Sequence, residues 1–300
     1  MLKRVFYEGV CLTRRAGFPL CYPFLERFER KAYKFRTRMM EGVMRSDAVV
    51  LCYPKSGRTW VEVMLSRLFQ MRLGLAENEV IEFSSAFRAF PAIPRLFFTH
   101  DDFHVLEGNE FLPEGGPKGY FADAKTLFVV RHPLDVVVSM YFQQSKRSGY
   151  VEGVDIYEFA TEIRGGLPTI IDFMNLWATL GPKYGDHHMV RYEDLRADPF
   201  PHFKSLSGFL GFDFTDDEIR EAIDFSSFDN MKKREAENFY DGDFRVSAGD
   251  PDDSDSFKAR RGVVGGYTDY FTDAQIETLS RLVVEDLDPV YGYGTASASR

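Results

Sequence analysis

The sequence predicts an α/β protein with a central parallel sheet flanked by helices. Three observations predict it. Short β-rich runs alternate with longer helical patterns along the chain, as βαβ units require. Two of the runs are nearly continuous apolar stretches, as strands covered on both faces tend to be. The first run ends abruptly in a small, polar, basic turn, the kind that joins a strand to a helix. The candidate strands are Ala48–Cys52, Arg95–Thr99, Thr126–Val130 and His188–Arg191. Helical patterns follow at Thr59–Leu73, Leu134–Arg147, Leu167–Leu180, Phe203–Leu210, Asp216–Asp224 and Asp273–Glu285. Ligands in such sheets sit beyond the carboxyl ends of the strands.

The chain has 300 residues, of which 44% are hydrophobic, enough for one substantial core. No internal repeat or linker divides it, so residues 1–300 read as a single domain. The three cysteines, Cys11, Cys21 and Cys52, lack metal-like spacing. An odd, sparse count argues against a disulfide framework and fits a reducing, cytoplasmic setting. No apolar run approaches the ~20 residues of a membrane helix, and the N-terminus lacks the pattern of a secretory signal.

The net charge of −9 is uneven. Residues 1–45 carry a net +7, the remainder −16. This N-terminal arm is basic and aromatic. It reads either as an amphipathic helix packed on the domain or as a peripheral contact with an anionic membrane surface. Asp241–Asp255 (DGDFRVSAGDPDDSD) is acidic, contains Gly and Pro, and reads as a surface loop or a lid over a ligand.

The turn after the first strand is Tyr53-Pro54-Lys55-Ser56-Gly57-Arg58, with a helix beginning near Thr59. A helix N-terminus offers unpaired N–H groups and the positive end of a dipole. Gly57 permits close backbone approach, Lys55 brings a point charge, and Ser56 and Thr59 bring hydroxyl donors. The turn suits a phosphate-like group. A triphosphatase loop would read GxxxxGK[ST], but Cys52 stands where its first Gly belongs, and the Lys precedes the Gly. The best second strand for a metal-binding carboxylate, Thr126–Val130, ends in Arg131-His132-Pro133, an Arg where a magnesium-dependent enzyme would place an acid. The pattern fits two anion sites at neighbouring strand ends, with no metal requirement. A nucleotide with phosphates at both ends and a transferable group of low charge matches it.

Tyr53-Pro54-Lys55-Ser56-Gly57-Arg58-Thr59-Trp60 resembles the 5′-phosphosulfate loop YPKSGTTW of cytosolic-type sulfotransferases, with Arg58 in place of a Thr. Val130 to Ser139, with Arg131 eight residues before Ser139, resembles the family's 3′-phosphate motif. Val190 to Leu195 looks like its YED strand end, and Ser226 to Met231 is similar to its TSFxxM segment. Arg260-Arg261-Gly262-Val263-Val264-Gly265 looks like its late RKGxxG motif. The five stand in the family's order, from Tyr53 to Gly265.

The resemblance implies the P-loop nucleotide-hydrolase-like sulfotransferase fold. It also implies 3′-phosphoadenosine-5′-phosphosulfate (PAPS) as co-substrate, without a metal. By resemblance, Lys55, Ser56, Gly57, Arg58 and Thr59 surround the 5′ end, and Lys55 stabilises the leaving oxygen. Arg131, Ser139 and Arg260, with the Gly262 backbone, grip the 3′-phosphate, and Arg261 is a further cofactor-binding residue. Ser139 is a hydroxyl able to touch both Lys55 and that phosphate. Trp60 and Phe228 sandwich the adenine, with Tyr192 and Ser226 at its edge. The family's catalytic His in a Lys-Thr-His segment corresponds to His100 in Phe98-Thr99-His100, with Phe98 where the family has Lys. His104 is the alternative base.

The resemblance implies a small-molecule hydroxyl acceptor and no nucleic acid. Phe83, Phe87, Phe90, Phe97, Phe103, Tyr141 and Phe142 are candidates for lining an apolar acceptor pocket for phenols, sterols or lipid alcohols, or for core. The dimer motif KxxxTVxxxE is incomplete over Thr268–Glu277, with Thr272 and Glu277 kept but the Lys and Val absent, so the oligomeric state is open. Three other readings compete, one of them a degenerate, non-catalytic nucleotide-binding module, against which the intact Lys55, His100 and Ser139 argue. His100-Asp101-Asp102-Phe103-His104 resembles a zinc-hydrolase HExxH, which needs both His on one helix. A magnesium-dependent nucleotide kinase would use a related fold.

Overall fold

The computed structural model describes residues 37–101, 119–148, 151, 153–161, 165–250 and 252–293. The N-terminal arm lies mostly outside the described residues, as do Cys11, Cys21, Asp102, Phe103 and His104. Residues 37–45 are helical. Contacts divide the chain into residues 1–42 and Val43–Arg300, and the second unit carries all that follows.

Among the described residues, four parallel strands form the sheet, in the order β2-β1-β3-β4. They are β1 (Ala48–Leu51), β2 (Leu96–Thr99), β3 (Thr126–Val130) and β4 (His187–Arg191). Register pairs Leu51 with Thr99 and with Phe128, and Val130 with Arg191. The carboxyl ends therefore line up along one edge.

Helices follow the strands as the alternation predicts. In chain order they are α1 (Arg58–Leu73), α2 (Phe83–Ala86), α3 (Pro133–Phe142), α4 (Ile156–Thr161), α5 (Leu167–Leu180) and α6 (Tyr192–Ala197). Then come α7 (Pro199–Phe209), α8 (Asp216–Phe225), α9 (Phe228–Ala236) and α10 (Asp273–Asp286). Helix α8 starts with a capping box between Thr215 and Glu218, and α10 with one between Thr272 and Gln275.

Strand alternation sends β1 and β3 side chains into two cores. Val49, Leu51, Phe128 and Val130 pack with α3 and α5 residues such as Val137, Phe173 and Trp177. Ala48, Val50, Leu127 and Val129 pack on the other face with Met64, Leu68, Phe203 and Ile219. Both faces are covered, which explains the unbroken apolar runs; each buried Val or Leu contributes about 1.5–3 kcal/mol.

The expected helix Leu134–Arg147 is divided. Its α-helical part ends at Phe142, and Gln143–Arg147 forms a π-helical turn. That wider turn carries Gln143, which reaches the site described next. Helices α2, α4, α6 and α9 have no counterpart among the sequence patterns; α2, α4 and α6 are too short, at six residues or fewer, to show a helical period.

No helix among the described residues is long and apolar enough to cross a membrane.

Candidate active site

A cavity of about 270 Å³ opens at the carboxyl edge of the sheet. Residues beyond all four strand ends line it: Lys55 and Arg58 after β1, His100 after β2, Arg131 after β3 and Tyr192 after β4.

The turn after β1 is tightly folded. Lys55 has φ 72° and Gly57 has φ 107°, so two of three residues are left-handed. Lys55 holds this conformation without the freedom of a glycine, a strain typical of functional loops. At Gly57 a Cβ would lie 2.8 Å from Cδ2 of Tyr192, so this close approach excludes a side chain. The turn directs Lys55 at Gln143, whose Oε1 accepts from Nζ at 3.3 Å. Burial, then the nearby cations of Lys258, Arg147 and Arg131, lower the Lys55 ammonium to about 7, against a smaller opposing pull from Glu235. Arg58 lines the same wall, and its buried Nε has no hydrogen-bond partner.

His100 follows β2. Its Nδ1 lies 3.0 Å from the carbonyl of Cys52 and 3.4 Å from the Cys52 sulfur. A carbonyl only accepts, so Nδ1 carries the proton and Nε2 is the basic nitrogen. Burial first, then the charge of Arg58, lowers His100 to about 3. The imidazole is thus neutral at physiological pH. His100 stands at the end of a strand rather than on a helix, which removes the helical geometry an HExxH zinc site needs. Among the described residues no group of three or more His, Cys, Asp or Glu could hold a metal ion.

Arg131 is held in place by carbonyls. Its guanidinium donates to the Lys55 and Val263 carbonyls, each at 3.3 Å, and stacks 4.5 Å from the Tyr192 ring centre. Asp135 lies 3.9 Å away and spends its oxygens on the N–H groups of Gly265 (2.8 Å) and Tyr267 (3.1 Å). An ion pair with Asp135 is therefore a minor part of Arg131's environment, and its buried Nε lacks a partner. Ser139, one helical turn beyond Asp135, lines the cavity as well.

Trp60, Tyr192 and Phe228 form the aromatic wall. Trp60 and Tyr192 meet edge to face at 5.7 Å, and Trp60 Nε1 donates to the Ser226 carbonyl at 2.8 Å. Gly262 has φ 61°, and a Cβ there would stand 2.3 Å from Phe228 Cδ2. This glycine lets the late loop lie against the ring. Arg260 donates to the Tyr270 hydroxyl and sits 4.0 Å over Phe142, with Asp255 at 3.6 Å. Arg261 is paired with Asp269 and Tyr270. Both arginines line the cavity.

Thirteen of the fifteen expected site residues line this cavity; Ser56 and Ser226 do not. Ser56 is 2% exposed, beneath the turn. The Ser226 hydroxyl donates back to the Ala222 carbonyl at 2.7 Å, so this residue serves through its own carbonyl, which orients Trp60.

Five lining residues had no motif to mark them: Gln143, Arg196, Lys258, Ala259 and Gly266. Arg196 lies 5.7 Å from the Trp60 ring and 5.8 Å from Phe228. Of the seven aromatics weighed as an acceptor pocket, Phe103 lies outside the described residues and the other six do not line this cavity. Phe83 is core, Phe97, Phe98, Tyr141 and Phe142 pack against the two cores, and Phe87 and Pro91 border a separate groove.

The segment Asp241–Asp255 is tied down at several points. Arg245 pairs with Asp243 and with the buried Glu62 (2.9 Å) of α1, and donates to the Val80 carbonyl at 2.7 Å. Arg147, on the π turn, donates to the carbonyls of Ser247 (3.1 Å) and Ser256 (2.6 Å).

Comparison with known proteins gives the same family. The family description "Sulfotransferase domain" matches residues 45–289. Cytosolic sulfotransferase 17 of Arabidopsis thaliana is 26% identical over 268 residues, covering 80% of this chain and 74% of the relative. The 3-alpha-hydroxysteroid sulfotransferase of Cavia porcellus is 25% identical, covering 82% and 85%. Among solved structures, mouse sulfotransferase SULT7A1 complexed with PAP superposes with TM-score 0.56 at 21% identity, covering 83% and 86%. Retinol dehydratase in complex with androsterone and PAP gives 0.53 at 15%, covering 84% and 82%. With the matched domain spanning most of its length, the chain belongs to the sulfotransferase family.

Proposed function

We propose that this sulfotransferase moves a sulfuryl group from PAPS to a hydroxyl of a small molecule, with His100 as general base and Lys55 at the leaving oxygen. The observation that carries the reading is the convergence of Lys55, Arg58, His100 and Arg131 on one cavity from three strand ends. The buried Nε groups of Arg58 and Arg131 are N–H donors without acceptors. Such donors fit phosphate or sulfonate oxygens. Family membership and the two PAP-bound structural relatives support the nucleotide.

When bound, the co-substrate supplies the sulfuryl group that passes to the acceptor oxygen. The cup formed by the turn after β1, with Thr59 and Arg58 at the start of α1, would hold its 5′ end. Arg131, Ser139, Arg260, Arg261 and the Gly262 backbone would hold the 3′-phosphate, and Trp60, Tyr192 and Phe228 would flank the base. Lys55 would offset negative charge gained by the leaving oxygen, its ammonium aimed by Gln143. His100 Nε2 would take the acceptor's proton. The cations that weaken His100 as a base are the ones a bound anion would neutralise, so its basicity would rise in the complex. The tethered segment 241–255 would cover the rim of the nucleotide site. The hydroxysteroid named for the Cavia relative supports a small, largely apolar alcohol as acceptor. The cytosolic names of the plant relatives support the cytoplasm as the place of action.

The test is transfer of label from [³⁵S]PAPS, in EDTA, to a panel of phenols, sterols and aliphatic alcohols. Labelled product from the wild type and none from His100→Ala is expected, with nucleotide binding intact in the variant. Loss of PAP binding by His100→Ala would make His100 structural. Absence of transfer beside magnesium-dependent ATP turnover would make the chain a kinase.

A further inference from the structure

We propose that Lys258 is a further ligand of the 5′ end of the nucleotide, a second ammonium beside Lys55. The inference rests on the co-substrate reading above. Lys258 lies outside the five motifs, two residues before Arg260. It lines the cavity shared by Lys55, Arg58 and His100.

Its backbone is fixed with care. The buried carboxylate of Glu235, on α9, accepts from the N–H of Lys258 at 2.6 Å and of Ala259 at 2.9 Å. Just upstream, Arg147 grips the Ser256 carbonyl. The chain is thus clamped on both sides of the point where this lysine enters the cavity. Its ammonium has no carboxylate within ion-pair distance among the described residues, although Glu235 lies near enough to stabilise its charge. Burial, then the charges of Arg147 and Arg58, outweigh that pull and lower Lys258 to about 8. Lys258 in turn depresses Lys55 and His100. A clamped, desolvated lysine among like charges destabilises the free protein, and an anion reverses that cost.

The position decides which anion end is served. Arg131, Arg260 and Arg261 are engaged with carbonyls, Tyr270 and Asp269. The charges that act on Lys258 are those of Arg147, Arg58 and Glu235, and its own charge acts on Lys55 and His100; Lys55 and Arg58 are the residues assigned to the 5′ end.

The experiment is isothermal titration of wild type, Lys258→Met and Lys258→Arg with adenosine 3′,5′-bisphosphate and with adenosine 3′-monophosphate. Each titration is run at pH 8 in two buffers of different ionisation enthalpy. Lys258→Met is expected to lose about 10- to 100-fold in affinity for the bisphosphate. It should lose none for the monophosphate. Wild type should take up protons on binding the bisphosphate, because the anion raises Lys258 and Lys55 together. Lys258→Arg should keep most of the affinity while its proton uptake falls, since a guanidinium is already charged. Unchanged bisphosphate affinity in Lys258→Met would overturn the proposal. So would equal losses for both nucleotides, which would mark a structural role. Failure of the wild type to bind the bisphosphate would instead sink the co-substrate reading itself.

Discussion

The turn after β1 and the turn after β3 both present a cation to the same cavity, but they hold it in opposite ways. Lys55 stands in a strained left-handed conformation, desolvated, with a neutral amide as its hydrogen-bond partner. Arg131 is braced by two carbonyls, an aromatic face and a nearby carboxylate. The first arrangement leaves a charge that is costly until an anion arrives. The second prepares a charge that is held in place beforehand, with its buried Nε still open to a ligand, and needs little reorganisation. A leaving group whose charge grows during reaction calls for the first; a spectator phosphate that only anchors calls for the second.

Mutations can break that contrast, the largest effect first. Lys55→Met should lower kcat on the order of 10²- to 10³-fold. PAP affinity should fall far less; a matching loss of affinity would mean Lys55 only binds. Arg131→Ala should weaken PAP by about 10- to 100-fold while kcat at saturation changes little. Equal losses for PAP and its 3′-dephosphorylated analogue would remove Arg131 from the 3′ site. Gly262→Ala should cost about 1–3 kcal/mol of stability in thermal unfolding, through positive φ and collision with Phe228. The same variant should weaken PAP binding, because the ring must move.

A pH titration sharpens the comparison. Lys55 is lowered from 10.5 to about 7 and Lys258 from 10.5 to about 8. Between those values and 10.5 the unfolded chain binds more protons than the folded one. Stability of the nucleotide-free protein should therefore rise with pH from about 7 towards 10, from these two groups, and level off above. PAP should flatten the rise by restoring the charge of both lysines. A nucleotide-free stability that is flat or falling across that window in Lys55→Met and wild type alike would contradict the desolvated-cation account.

The sheet and the first-turn chemistry were legible because their determinants are local. Val49 to Leu51 is apolar throughout because two helix layers cover it, and Thr126–Val130 and Leu167–Leu180 have the bounds their patterns predict. Lys55, Gly57, Arg58 and Arg131 are adjacent to strand ends, so topology alone brings them together. Lys258 and Arg196 carry no such signal. Lys258 enters the cavity through a clamp formed by Glu235, 23 residues away in sequence, and Arg147, which no periodicity reports. Ser226 shows the converse limit. Its place in a motif was visible, but whether hydroxyl or carbonyl did the work depended on the helix carbonyl behind it.

The most direct test of the two-anion, metal-independent site is thermal unfolding with PAP, in EDTA, beside ATP with magnesium. Ligand at 100 times its Kd adds about 2.7 kcal/mol, a shift of several degrees for a chain of this size. The account predicts a large shift with PAP that EDTA leaves untouched. No shift with PAP, and one with ATP and magnesium, would contradict it.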